Sequence, residues 1–246
     1  MANITGTPTI SEFDLYTTST SIPSGYSIGQ KVYGNNGKAF RLALVGASNL
    51  VMGNLLQEAA ADTQFINMGI AAAAVGDLSL TVTNGTTTVA ANQFDGGSIL
   101  VYTAGGVAIG EEYTIISHTT GGSGATLTVY LDRPVRTAMT TSAKVSMFRS
   151  PWSGVIQAPA TTQTGIPVGV ALTAATAATY TWVQVAGVAA VLSDGSTFAV
   201  GSDVGTPSGT AGAVTVFAAG TTHTTVGKVR QAAASAHAIS ILLSID

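Results

Sequence analysis

The stretch Leu78-Ser-Leu-Thr-Val-Thr-Asn-Gly85 decides the fold class, because apolar and hydroxyl-bearing residues alternate in it before an Asn-Gly turn. A period of two residues puts alternate side chains on opposite faces of a β-strand, one buried and one exposed. Thr126-Leu-Thr-Val-Tyr-Leu131 repeats the alternation further along the chain. Glycine-rich or proline-containing turn signals lie at 95–97, 105–106, 121–124 and 132–134. Many short strands joined by tight turns predict antiparallel barrels or sandwiches.

The part of the chain from residue 150 to residue 246 carries the same signature in a less regular form. Valine, threonine and alanine dominate it, and β-branched residues fit the pleated surface of a strand. Strands are predicted at 168–172, 180–185, 189–192, 198–200, 213–217, 225–229 and 238–245. We therefore expect an all-β protein with two small antiparallel β-barrel or β-sandwich domains, a middle domain at 70–149 and a C-terminal domain at 150–246.

Residues 29–69 precede these domains, and we expect them to pack with the C-terminal one. Asn35-Asn-Gly37 supplies the positive φ angles that a tight hairpin requires, so it predicts a strand pair between Lys31 and Val45. Good helix formers follow Asn54, whose side chain is placed to cap a helix N-terminus. One short helix is therefore predicted near 54–62.

Residues 1–28 show no sustained helical or strand period. They are rich in threonine, serine and proline, with isolated apolar side chains at Ile10, Phe13, Leu15, Tyr16 and Ile22. A segment of this kind gives up its conformational freedom only when it docks, and it then wraps a large surface. We expect an extended N-terminal arm that binds a partner through those side chains.

Charged side chains are scarce: nine Lys plus Arg and twelve Asp plus Glu make up 9% of the 246 residues. An ordinary soluble domain has about a quarter, and surface charge is what keeps monomers apart. The composition therefore indicates a subunit that associates with copies of itself. A net charge of −3 provides no steering towards nucleic acid. The apolar runs are shorter than the ~18 residues that a membrane span needs, so we expect no membrane partner.

No residue pattern indicates catalysis, a cofactor or a metal. His118, His223 and His237 are isolated in the sequence, and there is no cysteine to complete a zinc site, so we expect exposed histidines without a ligand role. Glu111 and Glu112 are adjacent, and neighbouring side chains of a strand point to opposite faces. They are therefore not expected to form an acid–base pair. We predict that the protein is not an enzyme.

The longest uncharged stretch of the chain runs from Ser150 to Ser193. It contains Trp152, Tyr180 and Trp182, and large aromatic side chains dominate both cores and subunit contacts. We expect a subunit interface there. A second interpretation stays open, because Tyr180 and Trp182 lie two residues apart on one strand face, where both rings are placed to stack on a sugar.

Two passages resemble virion decoration proteins of tailed bacteriophages. One runs from Gly165 to Leu192 and contains the segment Gly169-Val-Ala-Leu-Thr-Ala-Ala175. The other begins at Ile28 with Gly-Gln-Lys-Val-Tyr-Gly-Asn-Asn-Gly and continues to Gln57. The resemblance implies a capsid cement protein, which is a β-rich subunit without catalytic residues that bridges major capsid proteins on the expanded head.

The same resemblance implies partners and a location. Besides the major capsid protein, the subunit is expected to bind itself, as a homotrimer first and a dimer second. Residues 1–8 lack the basic and apolar regions of a secretion signal, so the expected location is the capsid surface of a virion assembled in the host cytoplasm. The alternative is a carbohydrate-binding or host-adhesion module of a phage head fibre or tail, in which Tyr102, Tyr113, Tyr180 or Trp182 stacks on sugars.

Overall fold

The computed structural model describes residues 10–104, 107–217, 224–233 and 237–246, and within them the protein is all-β, as predicted. Its strands are β1 (Lys31–Tyr33), β2 (Ala39–Val45), β3 (Leu55–Gln57), β4 (Met68–Gly69), β5 (Ser79–Thr83), β6 (Ser98–Ala104), β7 (Val107–His118), β8 (Thr126–Leu131), β9 (Lys144–Phe148), β10 (Ser153–Gln157), β11 (Pro167–Ala171), β12 (Tyr180–Leu192), β13 (Asp203–Gly205), β14 (Thr215–Val216), β15 (Thr225–Val229) and β16 (Ala238–Ser244). The helical elements of these ranges are three 3-10 turns, Asp14–Tyr16, Asn35–Gly37 and Thr63–Phe65. None of the described elements is a helix long and apolar enough to span a membrane.

The chain forms two compact units, one made of Met1–Ala60 and Pro151–Asp246 and the other of Ala61–Ser150. The second unit interrupts the sequence of the first between β3 and β10. These strands are antiparallel neighbours, with Gln57 opposite Ile156, so the insertion takes the place of a hairpin loop. Residues 61–69 were predicted to pack with the C-terminal domain. They belong instead to the second unit, where β4 pairs with β9.

Five strands of the first unit close into a barrel. Their order is β2, β10, β3, β11 and β12, and β12 pairs in turn with β2. All these pairings are antiparallel except that of β10 with β2. Small and β-branched side chains make up most of the core of this five-stranded barrel: Ala39, Ala43, Val45, Leu50, Leu56, Val155, Val168, Ala171, Ala175, Val183 and Val185. Closure leaves no strand edge of the barrel open.

The strand β12 continues beyond the barrel into a second ring of the first unit. There it pairs with β16, and the order goes on through β15, β13 and β14. Val214, just before β14, pairs with Ser193, just after β12, and this contact returns the ring to its first strand. Residues 198–200 were predicted as a strand, but the buried Phe198 forms an isolated β-bridge with Ala233, and a turn follows at Val200 and Gly201. The core of the second ring includes Leu55, Val191, Phe198, Val204, Val226 and Ile241.

Gly187 allows β12 to serve both rings. The first half of the strand pairs with β2 and the second half with β16. Gly187 has a φ of 87°, and a Cβ atom there would lie 2.9 Å from the Cα atom of Lys38. Any larger residue would therefore strain the backbone and collide with the turn between β1 and β2. The two strands predicted at 180–185 and 189–192 are consequently one continuous strand.

The predicted helix near 54–62 is wrong, because burial overrides the helix propensity of its residues. Leu55 and Leu56 lie in β3, and both are fully buried. Leu55 packs in the second ring and Leu56 in the five-stranded barrel, since neighbouring side chains of a strand point to opposite faces. The helical turn nearby starts after Asp62, whose carboxylate accepts a hydrogen bond of 2.9 Å from the amide of Gln64.

The second unit is a six-stranded barrel with the order β4, β9, β6, β7, β8 and β5. Ile70, just after β4, pairs with Val82 of β5 and completes the circuit. The predicted alternation is confirmed in β5 and β8: Leu80, Val82, Leu127 and Val129 are buried, whereas Thr81, Thr83 and Thr126 are exposed. Leu78, predicted on the buried face, precedes the strand and is exposed.

The insertion predicts that the first unit folds without the second. Each hydrophobic core consists of residues from one unit alone, and the insertion point lies between hydrogen-bonded neighbours. Replacement of residues 61–150 by a short glycine-rich linker should leave a chain that unfolds cooperatively. Urea denaturation followed by tryptophan fluorescence tests this, because Trp152 and Trp182 are both in the first unit. A gradual, non-cooperative loss of signal would contradict the prediction.

Candidate interaction surface

The outer face of the five-stranded barrel is apolar where β2 and β12 run side by side. The hairpin predicted between Lys31 and Val45 is confirmed and forms part of this region, with β1 antiparallel to β2. Phe40, Leu42 and Trp182 belong to a cluster separate from the barrel core, and all three are buried. Because β2 and β12 thus carry apolar side chains on both faces, the fold requires a cover on this side of the barrel.

Residues 10–28, named here the covering segment, supply that cover. Leu15 is buried in the cluster with Trp182. Ser19 and Tyr180 exchange two backbone hydrogen bonds of 3.0 and 2.7 Å, and the ring of Tyr26 meets that of Trp182 edge-on at 5.1 Å. The prediction of an arm that orders only on docking is therefore wrong for these residues, since they pack on their own chain. Residues 1–9 of the predicted arm lie outside the described ranges.

The covering segment also presents apolar side chains outward. Phe13 is 80% exposed, and Tyr16 and Ile22 are exposed as well. The 3-10 turn that contains Leu15 directs this side chain inward, and Ile10 packs partly buried against the same cluster. The five residues predicted to bind a partner therefore divide into two that hold the segment on the barrel and three that are accessible to another molecule.

Acidic side chains flank the most exposed of these residues. Glu12 and Asp14 lie on either side of Phe13, and both are exposed. An apolar ring between two carboxylates is complementary to an apolar pocket with a basic rim. The sequence-based prediction of partner-binding residues did not include these two carboxylates, although they flank Phe13 directly in the sequence.

The aromatic residues predicted at a subunit interface are largely used within the first unit. Trp182 is 3% exposed, so it has almost no surface to offer a second subunit or a sugar, and its assignment to an interface is wrong. Tyr180 is partly buried in the cluster beneath the covering segment. Trp152 is also partly buried, with the guanidinium of Arg41 stacked over its ring at 4.2 Å. The absence of charge between Ser150 and Ser193 follows in large part from strands that are buried on both faces.

An ion cluster fixes Asp246 beside β1 and β2. The Asp246 carboxylate accepts a hydrogen bond from Arg41 and lies 3.4 Å from the ammonium of Lys31. Arg41 also donates to the carbonyl of Gly29. The hydrogen bond from Arg41, aided by the two positive charges and opposed by partial burial, holds the pKa of Asp246 below its usual value. Arg41 and Asp246 are 205 positions apart, so no local pattern could reveal their pairing.

Glu111 is the centre of a hydrogen-bond network in the second unit. Tyr113, two residues along the same strand face, donates its hydroxyl to Glu111, and Thr137 donates to it at 2.6 Å. Burial alone would raise the pKa of Glu111, but these hydrogen bonds and two nearby arginines hold it below its usual value. Glu112 is exposed and makes no pair with Glu111, as the strand period predicted. The network ties the strand to the loop that follows β8.

The side chain of His118 is fully buried, so the expectation of an exposed histidine is wrong. Its Nε2 accepts a hydrogen bond of 3.1 Å from the amide of Phe94, and its Nδ1 lies 3.0 Å from the carbonyl oxygen of Thr119. Both ring nitrogens therefore lie within hydrogen-bonding distance of backbone groups. The carboxylate of Asp95 lies 3.6 Å from Nε2, and burial raises the pKa of Asp95 against the opposing effect of His118.

The remaining candidates form no polar site in the part of the chain that the structure describes. No group of three metal-ligating side chains lies together there. His237 is exposed, and His223 falls outside the described residues. Of the rings considered for sugar stacking, Tyr113 is buried and Tyr102 is partly buried. The exposed apolar side chains of the covering segment therefore form the candidate interaction surface.

Trp182→Ala should lower the free energy of unfolding by about 3–5 kcal/mol, because the indole is buried beneath the covering segment. Leu15→Ala removes the other side of the contact and should cost about 2–5 kcal/mol. Phe13→Ala is the matched control, with an expected change within about 0.5 kcal/mol because its ring is exposed. Urea denaturation measures all three variants. Near-neutral results for Trp182→Ala and Leu15→Ala would show that the segment does not cover the barrel.

Asp246→Asn should destabilise the first unit at neutral pH, because folding lowers the pKa of this carboxyl through its pairing with Arg41. A group of this kind stabilises the fold above its unfolded pKa of about 3.9, and the effect is lost as the pH falls through the folded pKa. The difference in unfolding free energy between wild type and variant should thus be full at pH 7 and disappear in strong acid. Asp203→Asn, in an exposed pair with Lys228, should have little effect at any pH. A difference that persists in acid would contradict the ionic role.

No protein-family model matches the chain, and neither a curated protein nor a solved structure matches it. Support for a function therefore comes from the residues of the chain and from the geometry of the covering segment.

Proposed function

We propose that this chain is a structural subunit that decorates and stabilises a bacteriophage capsid by bridging major capsid proteins. The observation that carries the proposal is the set of exposed apolar side chains, Phe13, Tyr16 and Ile22, on a segment that the barrel holds in place. Several exposed apolar side chains on one short segment form a surface of the kind that binds other proteins. The resemblance of residues 28–57 and 165–192 to virion decoration proteins supports the choice of a capsid as the partner.

The covering segment binds the capsid through Phe13 and Tyr16 in this proposal. Leu15 already fixes the segment on the barrel, and Ser19 is hydrogen-bonded to Tyr180, so docking requires little further ordering of the backbone. The acidic neighbours of Phe13 favour an apolar pocket with a basic rim on the capsid protein. Many equivalent sites on one shell turn individually weak contacts into durable attachment.

The proposed subunit lies on the capsid surface of a virion assembled in the host cytoplasm, and it also associates with copies of itself. The low proportion of charged residues supports self-association, because few like charges oppose the approach of identical surfaces. Neutral surfaces also lose little hydration when they are buried. The resemblance implies trimers first and dimers second. No catalytic step is part of the proposed function.

A second candidate function, the binding of host glycans by a head-fibre or tail module, is favoured by Tyr130. Its ring is exposed on the outer face of β8, directly opposite Ser79. Thr81 and Thr128 pair on the same face. An exposed aromatic ring beside hydroxyl groups suits a neutral sugar, because the ring offers an apolar stacking surface and the hydroxyls offer hydrogen bonds. Trp182 is buried and takes no part in this alternative.

Purified expanded shells that lack the protein should take up the wild-type chain with a fixed stoichiometry. The double variant Phe13→Ala, Tyr16→Ala should bind the shells at least about tenfold more weakly, which corresponds to about 1.4 kcal/mol. Both side chains are exposed, so the urea midpoint should stay unchanged. Val200→Ala removes an exposed apolar side chain elsewhere in the first unit and should bind like the wild type.

The shell-binding experiment tests the capsid function and the role of the covering segment separately. No uptake of the wild type would contradict the capsid function, and equal uptake of the double variant would contradict the role of the covering segment. A glycan array should show no binding if the chain is a capsid subunit. Binding on the array that is lost in Tyr130→Ala would favour the glycan alternative. Deletion of the whole segment is unsuitable, because it would uncover Trp182 and destabilise the barrel.

A further inference from the structure

A second exposed apolar feature is the turn between β2 and β3, at Val51 and Met52. Both side chains are exposed, Met52 to 67%. The amide of Asn54 donates to the carbonyl of Val51 at 3.2 Å, and Gly53 has a φ of 80°. This is the geometry of a type II turn, with glycine at the position that requires a positive φ. Sequence reasoning missed the turn because it placed a helix N-terminus at Asn54.

The backbone on both sides of this turn is held by hydrogen bonds. Leu50 and Ala175 exchange two of them, at 2.8 and 3.3 Å. Gly53 donates to the carbonyl of Ala171 at 2.9 Å and accepts from the amide of Leu192 at 2.9 Å. The two apolar side chains therefore project from a fixed backbone, so a partner would have to order little beyond the side chains themselves. The flexible thioether of a methionine adapts readily to an opposing surface.

The chain segments that form this turn and that hydrogen-bond to its backbone are uncharged. No charged residue occurs at 42–57 or at 150–193, the stretches that supply the turn and the backbone bonded to it. Ala174 and Ala190, next to those hydrogen bonds, are exposed and add small apolar side chains. In a two-fold contact between identical copies, the groups close to the axis lie beside their own counterparts, where a charge would repel itself. A neutral apolar face therefore fits a second copy of this chain better than a partner steered by complementary charge.

A second turn of the same geometry in the first unit shows why the surroundings matter. The amide of Ser202 donates to the carbonyl of Ala199 at 3.1 Å, and Gly201 has a φ of 86°. Val200 occupies the same turn position as Met52 and is equally exposed, at 67%. This turn carries one large apolar side chain, and the next residue after it is Asp203, part of an ion pair. It is therefore a matched control that lacks the neutral environment.

We propose that the Val51–Met52 turn is the contact through which two copies of the chain pair about a two-fold axis. One patch that meets its own copy gives an isologous interface, which closes at two subunits. The inference selects the dimer over the trimer, and it rests on the self-association that the proposed function includes. Because it concerns the purified chain without shells, its failure and the failure of capsid binding by the covering segment are separate results.

Light scattering of the purified 246-residue chain should give twice the mass of 24.6 kDa. Met52→Glu should reduce the particle to a single chain, because it places two carboxylates close together across the axis. We expect the dimer dissociation constant to rise at least about 100-fold. The urea midpoint should be unchanged when both proteins are compared at a concentration below the wild-type dissociation constant, where neither is a dimer. Val200→Glu introduces the same charge at the matched turn and should leave the dimer intact.

Cross-linking tests the symmetry of the contact. The chain contains no cysteine, so a single introduced thiol gives an unambiguous result. Met52→Cys should form a disulfide-linked dimer under mild oxidation, and Val200→Cys should not. A monomeric wild type, a particle with an odd number of chains, or a Met52→Glu variant of wild-type mass would overturn the proposal. Failure of Met52→Cys to cross-link, or loss of the dimer in Val200→Glu, would overturn it as well.

Discussion

The first unit depends on a strand that has no solvent-exposed face along most of its first half. Val183 and Val185 of β12 fill the five-stranded barrel, and Trp182 packs against Leu15 of the covering segment on the other side. Beyond Gly187, which has a positive φ, the same strand pairs with β16 and belongs to the second ring. A charged side chain on such a strand would be buried without a partner, at a cost of several kcal/mol. The long uncharged stretch is in this respect a property of the monomer.

Local patterns predicted those elements whose structure depends on near neighbours in the sequence. The alternation of β5 and β8 and the hairpin turn at Asn35–Gly37 are of this kind, because strand period and turn chemistry act over a few residues. The helix near 54–62 was wrong because Leu55 and Leu56 each complete a core with members more than a hundred residues away, such as Val191 for Leu55 and Val183 for Leu56. Propensity has no access to such contacts, and burial outweighs it.

The candidate site was predicted only in part, for a related reason. The apolar residues of the N-terminal segment were identified correctly, but three residues of 3-10 turn have no period that separates the buried Leu15 from the exposed Phe13 and Tyr16. The Val51–Met52 turn was hidden by helix formers that follow it. Scarcity of charge thus has two sources in this chain: burial inside the rings, and neutral exposed features available for contacts with other molecules.

Backbone hydrogen exchange, followed by mass spectrometry, tests most directly whether the covering segment completes the barrel. Amides of strands that are buried on both faces exchange only when most of the domain unfolds. Amides of a free arm exchange almost at once. We expect peptides from 180–192 to be among the slowest of the first unit, and the amides of Ser19 and Tyr180 to be protected together. Exchange of residues 10–28 and 180–186 at the rate of an unstructured chain would contradict this account of the fold.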